Sequence, residues 1–155
     1  MPTYLDPDKI PLTRQVFKMR NSRYTLKIVT DFAAAHTLRD YPGECSRMHG
    51  HNWKLEVEVQ ATTLDNIGMG LDFKVIKHAA RDAAGELDHQ YLNEIPPFDT
   101  LNPTAENIAA YFYRTLSNRL NNDTLKVSAI TIWETERASV RYTECASVRN
   151  TEALS

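Results

Sequence analysis

The chain has 155 residues, 42% hydrophobic and 25% charged, with a formal net charge of −2. That is the length of one ordinary domain with enough apolar side chains to bury a core, which argues against broad disorder and against a basic nucleic-acid-binding surface. Its two cysteines, Cys45 and Cys145, are too few for a disulfide framework and suit a reducing cytoplasm in which a thiol stays free for chemistry.

Residues 1–22 read as an irregular arm, because Pro2, Pro7 and Pro11 interrupt any periodicity and no apolar targeting run is present. No later segment approaches a membrane-spanning length, so the expectation is a soluble, unprocessed protein. The domain is read over residues 23–144, and 145–155 as a short frayed tail. From Arg23 to His36 a two-residue period places Tyr24, Leu26, Ile28, Phe32, Ala34 and His36 on one face of a half-buried strand. A second strand from His51 alternates Trp53, Leu55, Val57 and Val59 against Asn52, Lys54, Glu56 and Glu58. Between them, Thr37 to Met48 contains Pro42 and Gly43 and reads as a long hairpin loop carrying Cys45.

Asp72 is placed to cap a helix with Ile76, Ala80, Ala83 and Leu87 at helical spacing, weakened at its end by Gly85. Pro96, Pro97 and Pro103 make the next stretch a loop, after which Thr104 caps a second helix with Ile108, Ala109, Phe112, Leu116 and Leu120 along one stripe. Two further strands follow, Leu125 to Glu134 and about Ala138 to Thr143. The order ββααββ predicts an α+β domain: a four-stranded antiparallel sheet with two helices on one face. Its open sheet edges point to pairing between copies of the chain.

Among the five histidines, His36, His49 and His51 stand apart. In an extended His49-Gly50-His51 the two imidazoles point to the same side, roughly 6.6 Å apart along the strand. His51 falls on the apolar face of its strand as His36 does on the preceding one, and an antiparallel hairpin brings the end of the first to the start of the second. Three neutral imidazoles suit zinc and leave one tetrahedral position open, the mark of a catalytic rather than a structural site. The plain alternative is two polar loop histidines and one hydrogen-bonded core histidine, and a bare His-x-His merits no more than that. Matching parity and a shared sheet end favour the metal.

Cys45 lies four residues before His49, so it is a fourth ligand, a free base or nucleophile, or a loop thiol without a task; spacing does not separate these. His78, beside Lys77 and off the apolar stripe, is assigned to a solvated surface. Asp88 and His89 form a usable acid–base pair or simply a polar helix C-terminus. Glu134 ends an apolar strand, where a carboxylate can hold paired N–H donors, while Glu106 complements a helix dipole or lines a pocket.

Taken together, Phe32-Ala33-Ala34-Ala35-His36, Cys45-Ser46-Arg47-Met48-His49-Gly50-His51, Leu87-Asp88-His89, Asn102-Pro103-Thr104-Ala105-Glu106-Asn107 and Trp133-Glu134-Thr135 resemble the 6-pyruvoyltetrahydropterin and 6-carboxytetrahydropterin synthase family. The resemblance spans approximately Arg23 to Thr143 and implies the tunnelling fold, in which subunits pair sheets into a barrel, usually a hexamer of two stacked trimers with sites between subunits. It implies His36, His49 and His51 as zinc ligands, Cys45 as catalytic thiol, Asp88 with His89 as proton relay, Glu134 as pterin anchor, and Thr104 and Glu106 as pocket residues. The implied substrate is dihydroneopterin triphosphate.

The three-residue gap between Cys45 and His49, and Leu87 to Asn93 continuing to Ile95-Pro96, are similar to the bacterial carboxytetrahydropterin enzymes of the queuosine route. These release acetaldehyde as well as triphosphate and so are carbon–carbon lyases. The rivals are a pyruvoyl enzyme that only eliminates triphosphate, and a non-catalytic zinc-stabilised oligomeric module.

Overall fold

Alternating apolar and polar side chains make Tyr24–His36 (β1) and His49–Ala61 (β2) into long strands, which pair antiparallel from Tyr24 opposite Ala61 to His36 opposite His49. The computed structural model describes residues 22–145; apart from its end residues, the arm read over 1–22 and the tail over 145–155 lie outside the described residues. Helix α1 (Phe73–Gly85) starts where the Asp72 carboxylate accepts from the Lys74 amide at 2.8 Å. Helix α2 (Ala105–Leu120) starts where the Thr104 hydroxyl accepts from the Asn107 amide at 3.3 Å. The strands β4 (Leu125–Thr135) and β5 (Ala138–Tyr142) then extend the sheet beyond β2.

The expected α+β architecture and its six elements are present, with one correction to the sheet. Gln90–Tyr91 form a further strand, β3, parallel to β1 at Ala34 and Ala35, so the sheet is five-stranded and mixed in the order β3-β1-β2-β4-β5. Two residues offer no periodicity for a sequence reading to detect. Residue His89, immediately before β3, has φ 57°, a left-handed turn that swings the chain out of the helix exit and onto the sheet edge.

The core lies between the sheet and the helices. Phe32, Trp53, Leu55, Val57, Ile130 and Ile132 from the sheet meet Ile76, Ala80 and Ala83 of α1 and Ile108, Phe112 and Leu116 of α2. Each fully buried large apolar side chain contributes about 1.5–3 kcal/mol of transfer free energy. The opposite sheet face carries ion pairs instead: Lys27 with Glu56 at 3.2 Å, and Arg141 with Glu58 at 2.9 Å. A register shift beside Glu58 and Val59 lets Ile130 and Ile132 oppose Val57 and Leu55, directing the end of β4 toward the histidine end of β1 and β2.

Candidate metal centre and adjoining pocket

His36 closes β1 directly opposite His49, which opens β2, and His51 follows on the same side as His49. His36 is fully buried, and its Nδ1–H donates to the Pro103 carbonyl at 2.8 Å. The His49 Nδ1–H likewise donates to the Arg47 carbonyl at 2.8 Å. A carbonyl can only accept, so both rings carry a proton on Nδ1 and turn Nε2 inward. These two Nε2 atoms are 3.0 Å apart. The His51 Nε2 is buried without a hydrogen-bond partner. Burial holds the pKa of His36 and of His51 below the ordinary histidine value, which keeps the rings neutral and available as donors.

One donor at this cluster is different from those the spacing allows for. The Glu134 carboxylate, at the end of β4, lies 3.5 Å from His36 Nε2 and 3.4 Å from His51 Nε2. Donor atoms of His36, His49, His51 and Glu134 all fall within 4.8 Å of one another. Two tetrahedral zinc ligands at about 2.0–2.1 Å from the ion are themselves separated by about 3.3 Å. The separations of 3.0, 3.4 and 3.5 Å bracket that value, and an orphaned buried imidazole nitrogen is the polar atom a cation would satisfy. The residues present therefore fit a zinc ion.

Cys45 is not in this group of donors. It sits half-buried in the 3-10 turn Glu44–Ser46, its carbonyl accepting from the Leu38 amide at 2.9 Å. The fourth donor is Glu134 instead, a placement that depends on the register between β2 and β4. Glu134 also lines a pocket of about 200 Å³ with Thr104 and Glu106, so the three residues read as pterin contacts share one wall system.

Asp88 and His89 do contact each other: Oδ2 of Asp88 is 2.9 Å from Nδ1 of His89. The second carboxylate oxygen accepts from the Ala33 amide at 2.8 Å, anchoring the pair to the outer edge of β1. That amide first, and His89 second, hold the Asp88 carboxyl below its ordinary pKa. His89 lines one depression of about 520 Å³ with Gly50, His51, Asn52 and Tyr91. His78 stays on the surface, paired with Asp82 at 3.4 Å.

Trp53 and Pro103 support the centre without a signal that marks them as doing so in the sequence. Trp53 is fully buried, its ring centroid 5.0 Å from both His36 and His51, and its indole N–H donates to the Ala34 carbonyl at 3.2 Å. It packs against the rings of His36 and His51 as Pro103 accepts from one of them.

Residues 25–145 match the model of the 6-pyruvoyl tetrahydropterin synthase family. The 6-carboxy-5,6,7,8-tetrahydropterin synthase of Aquifex aeolicus is 31% identical over 124 residues, covering 65% of this chain and 76% of the relative. The enzyme of the same description from Synechocystis is 39% identical over 90 residues, covering 55% and 68%. Among solved structures, the 6-pyruvoyl tetrahydropterin synthase of Caenorhabditis elegans superposes with a TM-score of 0.72 at 26% identity, over 81% of this chain and 99% of that one. The chain is an enzyme of the 6-pyruvoyl tetrahydropterin synthase family.

Proposed function

We propose that the chain converts dihydroneopterin triphosphate and one water to 6-carboxytetrahydropterin, triphosphate and acetaldehyde, as a zinc enzyme of queuosine-type biosynthesis in the cytoplasm. The observation that carries this reading is a cluster of three imidazoles sharing Glu134 with the pocket of Thr104 and Glu106. Among the described residues no helix is long and apolar enough to cross a membrane. The carboxytetrahydropterin synthases among the relatives favour this product over the pyruvoyl one.

His36, His49 and His51 would hold the ion, which when bound supplies Lewis acidity to the substrate's side-chain hydroxyls. Glu134 accepts hydrogen bonds from the exocyclic amine and adjacent N–H of the pterin ring, which fixes the ring with its side chain toward the histidines. Asp88 orients His89 through their 2.9 Å contact, and His89 exchanges protons at the depression it shares with His51. Cys45 is the second proton-transferring group, carried on the loop between the metal-bearing strands.

Cys45→Ala is expected to lower turnover by about 10²–10⁴-fold, the usual scale for one general acid–base group, while zinc content and assembly stay at wild type. Loss of zinc and folding together would instead favour the non-catalytic module. Glu134→Ala separates anchoring from ligation: KM rises and zinc per chain holds when three histidines suffice, whereas zinc falls with activity when Glu134 is a required ligand. Product analysis separates the two enzymes, since a pyruvoyl synthase retains every side-chain carbon and releases no acetaldehyde.

The assembly we propose is a homohexamer with sites between subunits. Its support is the edge of β1 from Tyr24 to Phe32, beyond the reach of β3, and the outer edge of β5, neither of which is paired with a strand among the described residues. Sizing of the active protein is expected at six times the 17.7 kDa chain mass; a fully active monomer would contradict it.

A further inference from the structure

Residues 37–39 lead from the end of β1 into a turn, and their successive amides bond alternately to two different neighbours. On one side two asparagines imitate a neighbouring strand. The Thr37 amide donates to Asn93 Oδ1 at 2.8 Å and the Asn93 amide nitrogen donates to the Thr37 carbonyl at 2.9 Å. Two residues on, the Arg39 amide donates to Asn102 Oδ1 at 2.9 Å and the Asn102 amide nitrogen returns to the Arg39 carbonyl at 3.1 Å. Each asparagine thus closes a two-bond ring with one backbone residue, as a strand partner would.

On the other side, the amide of the intervening residue, Leu38, donates to the Cys45 carbonyl at 2.9 Å. The Arg39 guanidinium locks the arrangement from beyond, donating to the carbonyls of Phe98 at 2.7 Å, Asp99 at 3.1 Å and Leu101 at 3.3 Å. Asn102 is itself held, its carbonyl accepting from Asn107 of α2 at 2.8 Å. It directly precedes Pro103, which binds His36, and Thr104 of the Glu134 pocket.

We propose that Arg39, Asn93 and Asn102 are positioning residues for catalysis: their clamp on residues 37–39 sets the Cys45 thiol in register with the histidine centre and the Glu134 pocket. The inference rests on Cys45 being the proton-transferring thiol. The same backbone strip contacts the Cys45 turn on one side and the loop bearing Pro103 and Thr104 on the other, so loosening it shifts the thiol against the metal and pterin contacts together. Misplacement by about 1 Å costs on the order of 10²-fold in rate. Zinc retention does not depend on the clamp, because all three histidines are held by the β1–β2 pairing itself.

The test compares zinc-loaded full-length Asn102→Ala and Arg39→Ala with wild type and Cys45→Ala. The readouts are kcat, KM for dihydroneopterin triphosphate, zinc per chain, and the iodoacetamide alkylation rate of Cys45 relative to Cys145 by peptide mass. Expected is a kcat loss of about 10–100-fold with KM within about twofold, unchanged zinc, and Cys45 alkylation altered several-fold relative to Cys145. Arg39→Lys, which keeps the charge and loses the fork, is expected to recover part of kcat, and it serves as the test should the alanine variants not fold. Wild-type kcat in the clamp variants beside an inactive Cys45→Ala overturns the clamp alone, as does a kcat loss that merely tracks lost zinc. An active Cys45→Ala removes the reading on which the clamp rests.

Discussion

His36→Ala is expected to empty the metal centre, leaving zinc well below one per chain and turnover at background. His36 supplies one of the three imidazoles and is the fully buried one, its Nε2 3.0 Å from His49 and 3.5 Å from Glu134. Its removal also strands the buried Pro103 carbonyl, which accepts from His36 at 2.8 Å. An orphaned buried acceptor costs about 1–3 kcal/mol, so the apo variant should unfold at lower denaturant than the apo wild type. Elemental analysis reads the first effect and a urea titration the second. His78→Ala is the control: exposed on α1 beside Asp82, it should retain zinc and turnover. Zinc at one per chain in His36→Ala would show that the centre does not need this ligand.

Trp53→Ala is expected to be the most destabilising single truncation near the site, at about 3–5 kcal/mol. The indole is fully buried, stacks on Phe32 with centroids 6.2 Å apart, and stands edge-on to His36 and His51 at 5.0 Å. The vacated volume lies beside the rings of His36 and His51, so zinc affinity is expected to fall together with stability. Trp53→Phe, which keeps an aromatic ring and loses the N–H donor to Ala34, should fall between alanine and wild type in both. Denaturant midpoints of the apo proteins and competitive zinc titration check the pair. A Trp53→Ala protein within about 1 kcal/mol of wild type would contradict the packing described for it.

His36 and His51 were legible as partners because strand parity needs only local alternation, and a hairpin brings adjacent strand ends together. The caps Asp72 and Thr104 were legible for the same local reason. Glu134 was visible as a strand-end carboxylate, but not as a neighbour of the histidines. That contact requires β4 to pair with β2 across more than seventy residues of chain, through a register shift that no periodicity announces. Strand β3 escaped because two residues carry no pattern, and its position follows from the turn at His89 and the Asp88 bond to Ala33. Asn93 and Asn102 stand in stretches that carry the family resemblance, but nothing in the sequence marks them as backbone partners. Their role as backbone partners for residues 37–39 exists only once the loop is folded over them.

Dependence of the pterin side-chain chemistry on a metal held by three histidines is tested most directly by stripping the protein with a chelator, restoring zinc in sub-stoichiometric steps, and measuring acetaldehyde and 6-carboxytetrahydropterin formed from dihydroneopterin triphosphate at each step. The prediction is no product from the stripped protein, and both products rising in parallel to a plateau at one zinc per chain. Product formation by the metal-free chain, or a product that retains every side-chain carbon, would contradict it.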